Sequence, residues 1–183
     1  MLYTSEYQSP VGRLTLVGNE RSLVGLWMEG QKYFAATLGE APVRREETPV
    51  LQAARGWLDR YFAGEKPGAM ELPLAPQGSP FRQRVWDILC RIPYGQVTTY
   101  GAIAEKMAVE LGKKTMSAQA VGGAVGHNPI SIIIPCHRVV GAGGSLTGYA
   151  GGIHKKVALL QLEGADLSAL WVPREGTAIG CTE

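Results

Sequence analysis

Apolar and polar positions alternate and turn often over the first forty residues: LYTSEY, SPVG, LTLV, GNER and LVGLWME follow one another. Short alternating runs separated by turn residues predict a small antiparallel meander. After the charged stretch Arg44 to Glu47 the period changes. Thr48 followed by Pro49 is a helix start, with Thr as N-cap and Pro at the first helical position, where its missing N–H is no loss. Val50, Leu51, Ala54, Trp57, Leu58, Tyr61 and Phe62 then fall at helical spacing for one buried face, and Gly64 ends the helix. Pro67 to Ser79, with prolines at 67, 73 and 76 and glycines at 68 and 78, is the best candidate linker.

Ser79-Pro80 repeats the start signal, and Phe81, Val85, Ile88 and Leu89 line one side of the helix that follows. IPYG stops it. Thr98 or Thr99 caps a helix carrying Tyr100, Ile103, Ala104 and Met107, and Gly112 with two lysines leads into Ser117 to Gly126. Two short helices joined by a turn predict a helix-turn-helix unit. The second has almost only small side chains, and its glycines at 122, 123 and 126 each cost roughly 1 kcal/mol of helix propensity relative to Ala. Such a helix suits close approach by another backbone, either a partner's or the protein's own. Ile130 to Ile134 predicts a buried strand cut off by Pro135, so that Cys136 sits just past a strand end. A glycine-rich stretch, Gly141 to Gly152, surrounds Tyr149, and a last helix runs from about His154 to Glu163 before Gly164.

These elements predict an α/β (α+β) protein of two domains and a tail: residues 1–77, 78–167 and 168–183. Charge sharpens the division. The first segment carries 8 Lys/Arg against 9 Asp/Glu, the second 9 against 5, and the tail 1 against 2. A surplus of four positive charges in the middle segment is compatible with phosphate contact, though many solvated faces look the same. No apolar run reaches membrane-spanning length, and MLYTSEYQSPVGRL lacks the features of a secretory signal, so a soluble, cytoplasmic protein is expected. Cys90, Cys136 and Cys181 are odd in number and far apart, with no C-x-x-C pair. They suggest neither a disulfide framework nor a zinc site. No metal and no cofactor are expected, and Cys90 and Cys181 read as structural or incidental.

Pro135-Cys136-His137-Arg138 is the most chemically loaded tetrad. A free thiol is only about 3% thiolate at neutral pH, so a nucleophilic cysteine needs a proton acceptor or a positive charge beside it. His137 and Arg138 offer both. Neighbours in an extended segment point opposite ways, so the turn after Pro135 has to re-aim one of them. An isolated Cys-His pair is more commonly a buried inert thiol beside a surface histidine.

The surrounding pattern changes that reading. Asn128-Pro129-x-x-Ile132-Ile133-Ile134-Pro135-Cys136-His137-Arg138-Val139-Val140 is preceded by Ala120-Val121-Gly122-Gly123-Ala124 and followed by Gly148-Tyr149-x-Gly151-Gly152 and Glu163-Gly164. This run closely resembles the O6-alkylguanine-DNA alkyltransferases, also called methylated-DNA-protein-cysteine methyltransferases. The resemblance is dense from about Ser79 to Asp166 and general before that. It implies a ribonuclease H-like N-terminal domain and a mostly helical, winged helix-turn-helix-like C-terminal domain. It also implies single-turnover DNA repair, in which the alkyl group of O6-alkylguanine in double-stranded DNA moves irreversibly to Cys136. O4-alkylthymine stays open as a second substrate. No S-adenosylmethionine is needed, and no G-x-G-x-x-G stands between a strand and a helix.

By the same resemblance, His137 takes the thiol proton through a water, Glu163 orients and charges the imidazole, and Tyr100 donates to the guanine ring as it leaves. Asn128 ties the turn before the cysteine. Val139 presents its backbone to the guanine edge, while Tyr149 and the backbone of Ala150 wall the pocket. Ser117, Ala118, Gln119, Ala120 and Gly122 face the minor groove, with Lys113, Lys114 and Arg138 on DNA. The protein is expected to act as a monomer without a protein partner.

The chain departs from the family at Gln119, where many members place the arginine that fills the gap left by the extruded base. It departs again at Ala150, where some have serine, and it lacks the N-terminal zinc ligands of some relatives. Three competing readings predict different behaviour. An alkyltransferase-like lesion sensor lacks the reactive cysteine, a cysteine hydrolase turns over repeatedly, and a helix-turn-helix regulator binds a defined sequence.

Overall fold

The computed structural model describes residues 1–173; Cys181 and most of the expected tail lie outside them. β1 (Leu2–Ser9), β2 (Gly12–Gly18) and β3 (Leu23–Met28) form the expected antiparallel meander. Where the charged stretch carries no strand signal, β4 (Val43–Arg45) pairs parallel to β1 and completes a sheet of order β3-β2-β1-β4. An exposed edge strand of charged residues buries nothing, so it leaves no alternation to read.

Helix α1 (Pro49–Phe62) starts as expected, with Thr48 Oγ1 accepting from Leu51 N–H, and buries Leu51, Ala54, Trp57, Leu58 and Tyr61. Leu14, Leu16, Leu23, Leu26 and Met28 of the sheet join these in one core. The opposite face of the sheet packs Val17, Val24 and Trp27 against Leu38 and Ala75. Pro67 to Ser79 is more than a tether. Leu23 N–H donates to Pro73 O at 2.8 Å and Ala75 N–H to Leu23 O at 2.8 Å, so the segment lies along the outer edge of β3. Proline cannot donate to a ladder, but its carbonyl accepts like any other.

The second half carries α2 (Pro80–Cys90), α3 (Tyr100–Glu110) and α4 (Ala118–Gly126), capped by Ser79, Thr99 and Ser117. Trp86 of α2 donates its indole N–H to Ala124 O at 2.9 Å, tying α2 to α4. A two-stranded parallel ribbon, β5 (Thr98–Thr99) with β6 (Val139–Val140), places the start of α3 beside the residues that follow Cys136. Helix α5 (Ile153–Leu162) closes the chain's second half.

Ile130 to Ile134 is not a strand. Ile130 makes a single bridge to Leu26 of β3, with Leu26 N–H on Pro129 O and Ser131 N–H on Leu26 O, both at 2.9 Å. The chain then turns tightly: Ile133 N–H donates to Ser131 O and Cys136 N–H to Ile134 O, both at 2.8 Å, and Ile132 holds φ at +70°. A β-branched residue in the left-handed region is strained, and strain of that kind persists where the surroundings over-determine it. Here the surroundings are Asn128, whose side chain accepts from Ile130 N–H at 3.0 Å and donates to Ile134 O at 2.8 Å. An unbroken apolar run reports burial and not geometry, which is why the sequence reads it as a strand.

Candidate active site

Every part of the site is set by a backbone device just described. The Asn128-clamped turn delivers Pro135, and Cys136–Arg138 form one 3-10 turn. That turn takes the His137 side chain into the interior. His137 is fully buried and its Nε2 lies 2.6 Å from Glu163 Oε1. Glu163, at the C-cap of α5, is buried too. Burial alone pushes its carboxyl pKa up, but hydrogen bonds from His137 and Arg138 and the charge of Arg138 hold it well below the usual range. The carboxylate therefore only accepts, which puts the imidazole proton on Nε2 and leaves Nδ1 with its lone pair. Nδ1 is buried and meets no protein partner among the described residues. Burial pushes the His137 pKa below its ordinary 6.5, against the pull of Glu163, so the ring is neutral at neutral pH. It is a base with its acceptor atom free.

Cys136 is buried, with 5% of the residue exposed. Burial pushes its pKa up, opposed by hydrogen bonds from the Asn128 side chain and the amides of Cys136 and His137, and by the charge of Lys156. Lys156 is the functional candidate that sequence reasoning missed. It is completely buried on α5, and its ammonium donates to Val139 O and to Thr147 O. Burial lowers its pKa to about 8. A signal for it existed. Lys156 shares a helical face with Leu159, Leu160 and Glu163, so a lysine on the buried stripe was visible beside the more ordinary Lys155.

Tyr100, at the first turn of α3, donates its hydroxyl to Thr147 O at 3.0 Å, and burial pushes its pKa well up, so it remains a donor. The approach is tight: a Cβ on Gly148, whose φ is +78°, would lie 2.4 Å from Tyr100 Oη. Tyr149 is buried with its hydroxyl 3.8 Å from Met28 Sδ, and Ala150 O accepts from Lys32 N–H at 3.1 Å, so β3 and the loop after it back this wall. Val139 is buried, with its N–H on Cys136 O and its carbonyl on Lys156; that carbonyl keeps a second lone pair.

Two residues expected on DNA are elsewhere. Arg138 is buried, donating from Nε at 2.9 Å and Nη2 at 2.8 Å to Glu163 and from Nη1 at 2.7 Å to Ile92 O. A guanidinium spent on a buried carboxylate cannot hold a phosphate, and sequence adjacency gave no sign of that fork. Gly122 is turned inward, where a Cβ would lie 3.8 Å from the Tyr100 ring. Lys113, Lys114, Ser117, Ala118, Gln119 and Ala120 are all exposed in one run over the α3–α4 turn and the start of α4.

The chain that carries this buried His137–Glu163 pair beside Cys136 is similar to known proteins over both its halves. Residues 80–165 match the model of the 6-O-methylguanine DNA methyltransferase DNA-binding domain, and residues 2–76 match that of its ribonuclease-like domain. The chain belongs to the 6-O-methylguanine DNA methyltransferase family. A methylated-DNA–protein-cysteine methyltransferase of Mycobacterium tuberculosis is 45% identical over 166 residues, covering 89% of this chain and 93% of that one. The Haemophilus influenzae protein of the same name is 41% identical over 162 residues, covering 88% and 86%. Among solved structures, M. tuberculosis OGT in complex with DNA superposes with a TM-score of 0.75 at 42% identity, covering 88% of this chain and 91% of that one. The O6-methylguanine-DNA methyltransferase of Pyrococcus kodakaraensis gives 0.63 at 25% identity, covering 90% and 100%. The methyltransferase family thus extends over both halves of the chain, as the sequence resemblance implies for the second half and more loosely for the first.

Proposed function

We propose that this protein repairs double-stranded DNA by moving the alkyl group of O6-alkylguanine onto Cys136, once per molecule. The observation that carries the reading is the buried, neutral His137 that follows Cys136 in the chain, with its Nε2–H on Glu163 and its Nδ1 free to accept. The thiol proton passes to Nδ1 through a water as the sulfur attacks the alkyl carbon. An S–C bond forms, the C–O6 bond breaks, and its electron pair stays on guanine. Tyr100, already a hydroxyl donor, supplies a hydrogen bond or a proton to the base so that charge does not accumulate there. The thioether is not hydrolysed, so the protein is consumed.

The target oxygen lies inside the duplex, so the nucleotide is extruded, at a cost of a few kcal/mol of stacking and pairing. The exposed run from Lys113 to Ala120 is the surface we assign to DNA, with the small side chains of early α4 in the minor groove and the two lysines on phosphates. Asn128 holds the turn that aims the sulfur, while Tyr149, Ala150 and Val139 frame the base. Residues 1–77 and 78–167 act as two domains of a monomer. No helix among the described residues is long and apolar enough to cross a membrane, and a cytoplasmic site of action is part of the proposal. A lesion sensor without chemistry has no use for a proton relay beside a thiol.

Mass spectrometry after incubation with an O6-methylguanine duplex tests this. The peptide bearing Cys136 gains one methylene stoichiometrically, and Cys136→Ala gains nothing. Repeated turnover, or methylation at another residue, overturns the reading.

A further inference from the structure

One hydrogen bond crosses from the first helix into the relay. Tyr61 of α1 is fully buried and donates its hydroxyl to Glu163 Oε1 at 2.8 Å, across 102 residues of sequence. The same oxygen accepts from His137 Nε2 at 2.6 Å and Arg138 Nη2 at 2.8 Å, while Oε2 accepts from Arg138 Nε at 2.9 Å and Gly95 N–H at 3.1 Å. These donors fill the roughly four lone-pair directions that a carboxylate offers. Tyr61 and His137 thus compete for the charge on one atom. The ring that carries the hydroxyl is fixed: it stacks on Trp57 at 5.4 Å and meets Tyr94 edge-on at 5.9 Å. Burial and the Glu163 charge push the Tyr61 pKa far above its usual value, so it stays a donor throughout the working range.

We propose that Tyr61 is a positioning residue for the alkyl transfer, through which the N-terminal half sets the orientation and basicity of Glu163 and hence the proton affinity of His137. The inference rests on the relay reading of Cys136, His137 and Glu163 given above. A buried tyrosine needs a partner for its hydroxyl in any case, and that requirement alone would make Tyr61 a matter of stability. The two roles differ in what they do to pH dependence. With one donor gone from Oε1, the carboxylate keeps more charge for the imidazole, and the imidazolium becomes easier to form.

The experiment uses the full chain and its Tyr61→Phe variant, which keeps the ring and its stacking. The single-turnover rate of methyl transfer from an O6-methylguanine duplex is followed from pH 5 to 9, with melting temperature and affinity for undamaged duplex measured on the same samples. In the variant the acid limb of the pH–rate profile moves to higher pH and the plateau falls by about tenfold, while DNA affinity is unchanged. A profile with the parent's acid limb overturns the proposal, whatever happens to the melting temperature. If the parent itself transfers no methyl group to Cys136, the relay reading fails first and the comparison of limbs never arises.

Discussion

The ammonium of Lys156 is hydrogen-bonded to the carbonyl of Val139, three residues beyond Cys136. The side chain is fully buried, and that burial lowers its pKa from an ordinary 10.5 to about 8, a shift on the order of 3 kcal/mol. Its charge also lowers the pKa of the Cys136 thiol, against the effect of burial.

Lys156→Met, close in volume, removes that charge. Its loss offsets the desolvation cost but leaves two carbonyls short of a donor, so stability is expected to stay within about 2 kcal/mol of the parent by denaturant titration. The transfer rate falls tenfold or more, on the order of 1.4 kcal/mol of barrier or above. The parent's rate also declines as pH rises through about 8, where Lys156 deprotonates, and the variant lacks that decline. Equal rates for the two proteins at pH 7 would dismiss Lys156 from the chemistry.

Acid should unfold this protein earlier than its surface charge suggests. The native pKa of His137 lies below 6.5, so the unfolded chain binds a proton that the native one refuses; stability is complete above 6.5 and declines as pH falls through the native value. Glu163 is depressed below 4.5, so its contribution is complete above 4.5 and is lost at still lower pH. Both act in the same direction. Melting temperature is expected to fall in two stages on acidification, and His137→Gln should abolish the stage that begins near 6.5. A parent protein whose melting temperature is flat from pH 7 to 5 contradicts this.

Gln119 is exposed on the first turn of α4, at the position where the sequence resemblance implies an arginine. Gln119→Arg adds a charge to the DNA face. Affinity for duplex should rise, its salt dependence steepen by about one unit of log–log slope, and repair accelerate. Fluorescence anisotropy at several salt concentrations together with single-turnover rates reads all three. If slope and rate match the parent, Gln119 does not limit base extrusion.

Much of this architecture was legible before any coordinates. Thr48-Pro49 and Ser79-Pro80 mark their helices because capping is local chemistry, and LTLV and LVGLWME mark strands because short apolar runs bounded by turn residues are buried in the sheet. Cys136, His137, Glu163 and Asn128 stand out through the family pattern, and the structure sets Asn128 on Cys136 and His137 on Glu163. The failures have one cause: a specific partner that hydrophobic spacing does not report decides the outcome. Ile130 to Ile134 turns because Asn128 supplies its hydrogen bonds, and Arg138 is drawn inward because Glu163 waits 25 residues away. Val43–Arg45 becomes a strand only because β1 has a free edge.

The outer edge of β3 is closed by two borrowed pieces, Pro73–Ala75 at Leu23 and Pro129–Ser131 at Leu26. The second belongs to the turn that aims the nucleophile. A fragment ending at residue 77 would therefore present the N–H and C=O of Leu26 bare on a hydrophobic rim, an invitation to strand-to-strand self-association. The complementary fragment would lose the backing that keeps its reactive loop taut. Separating the halves disarms one and makes the other sticky.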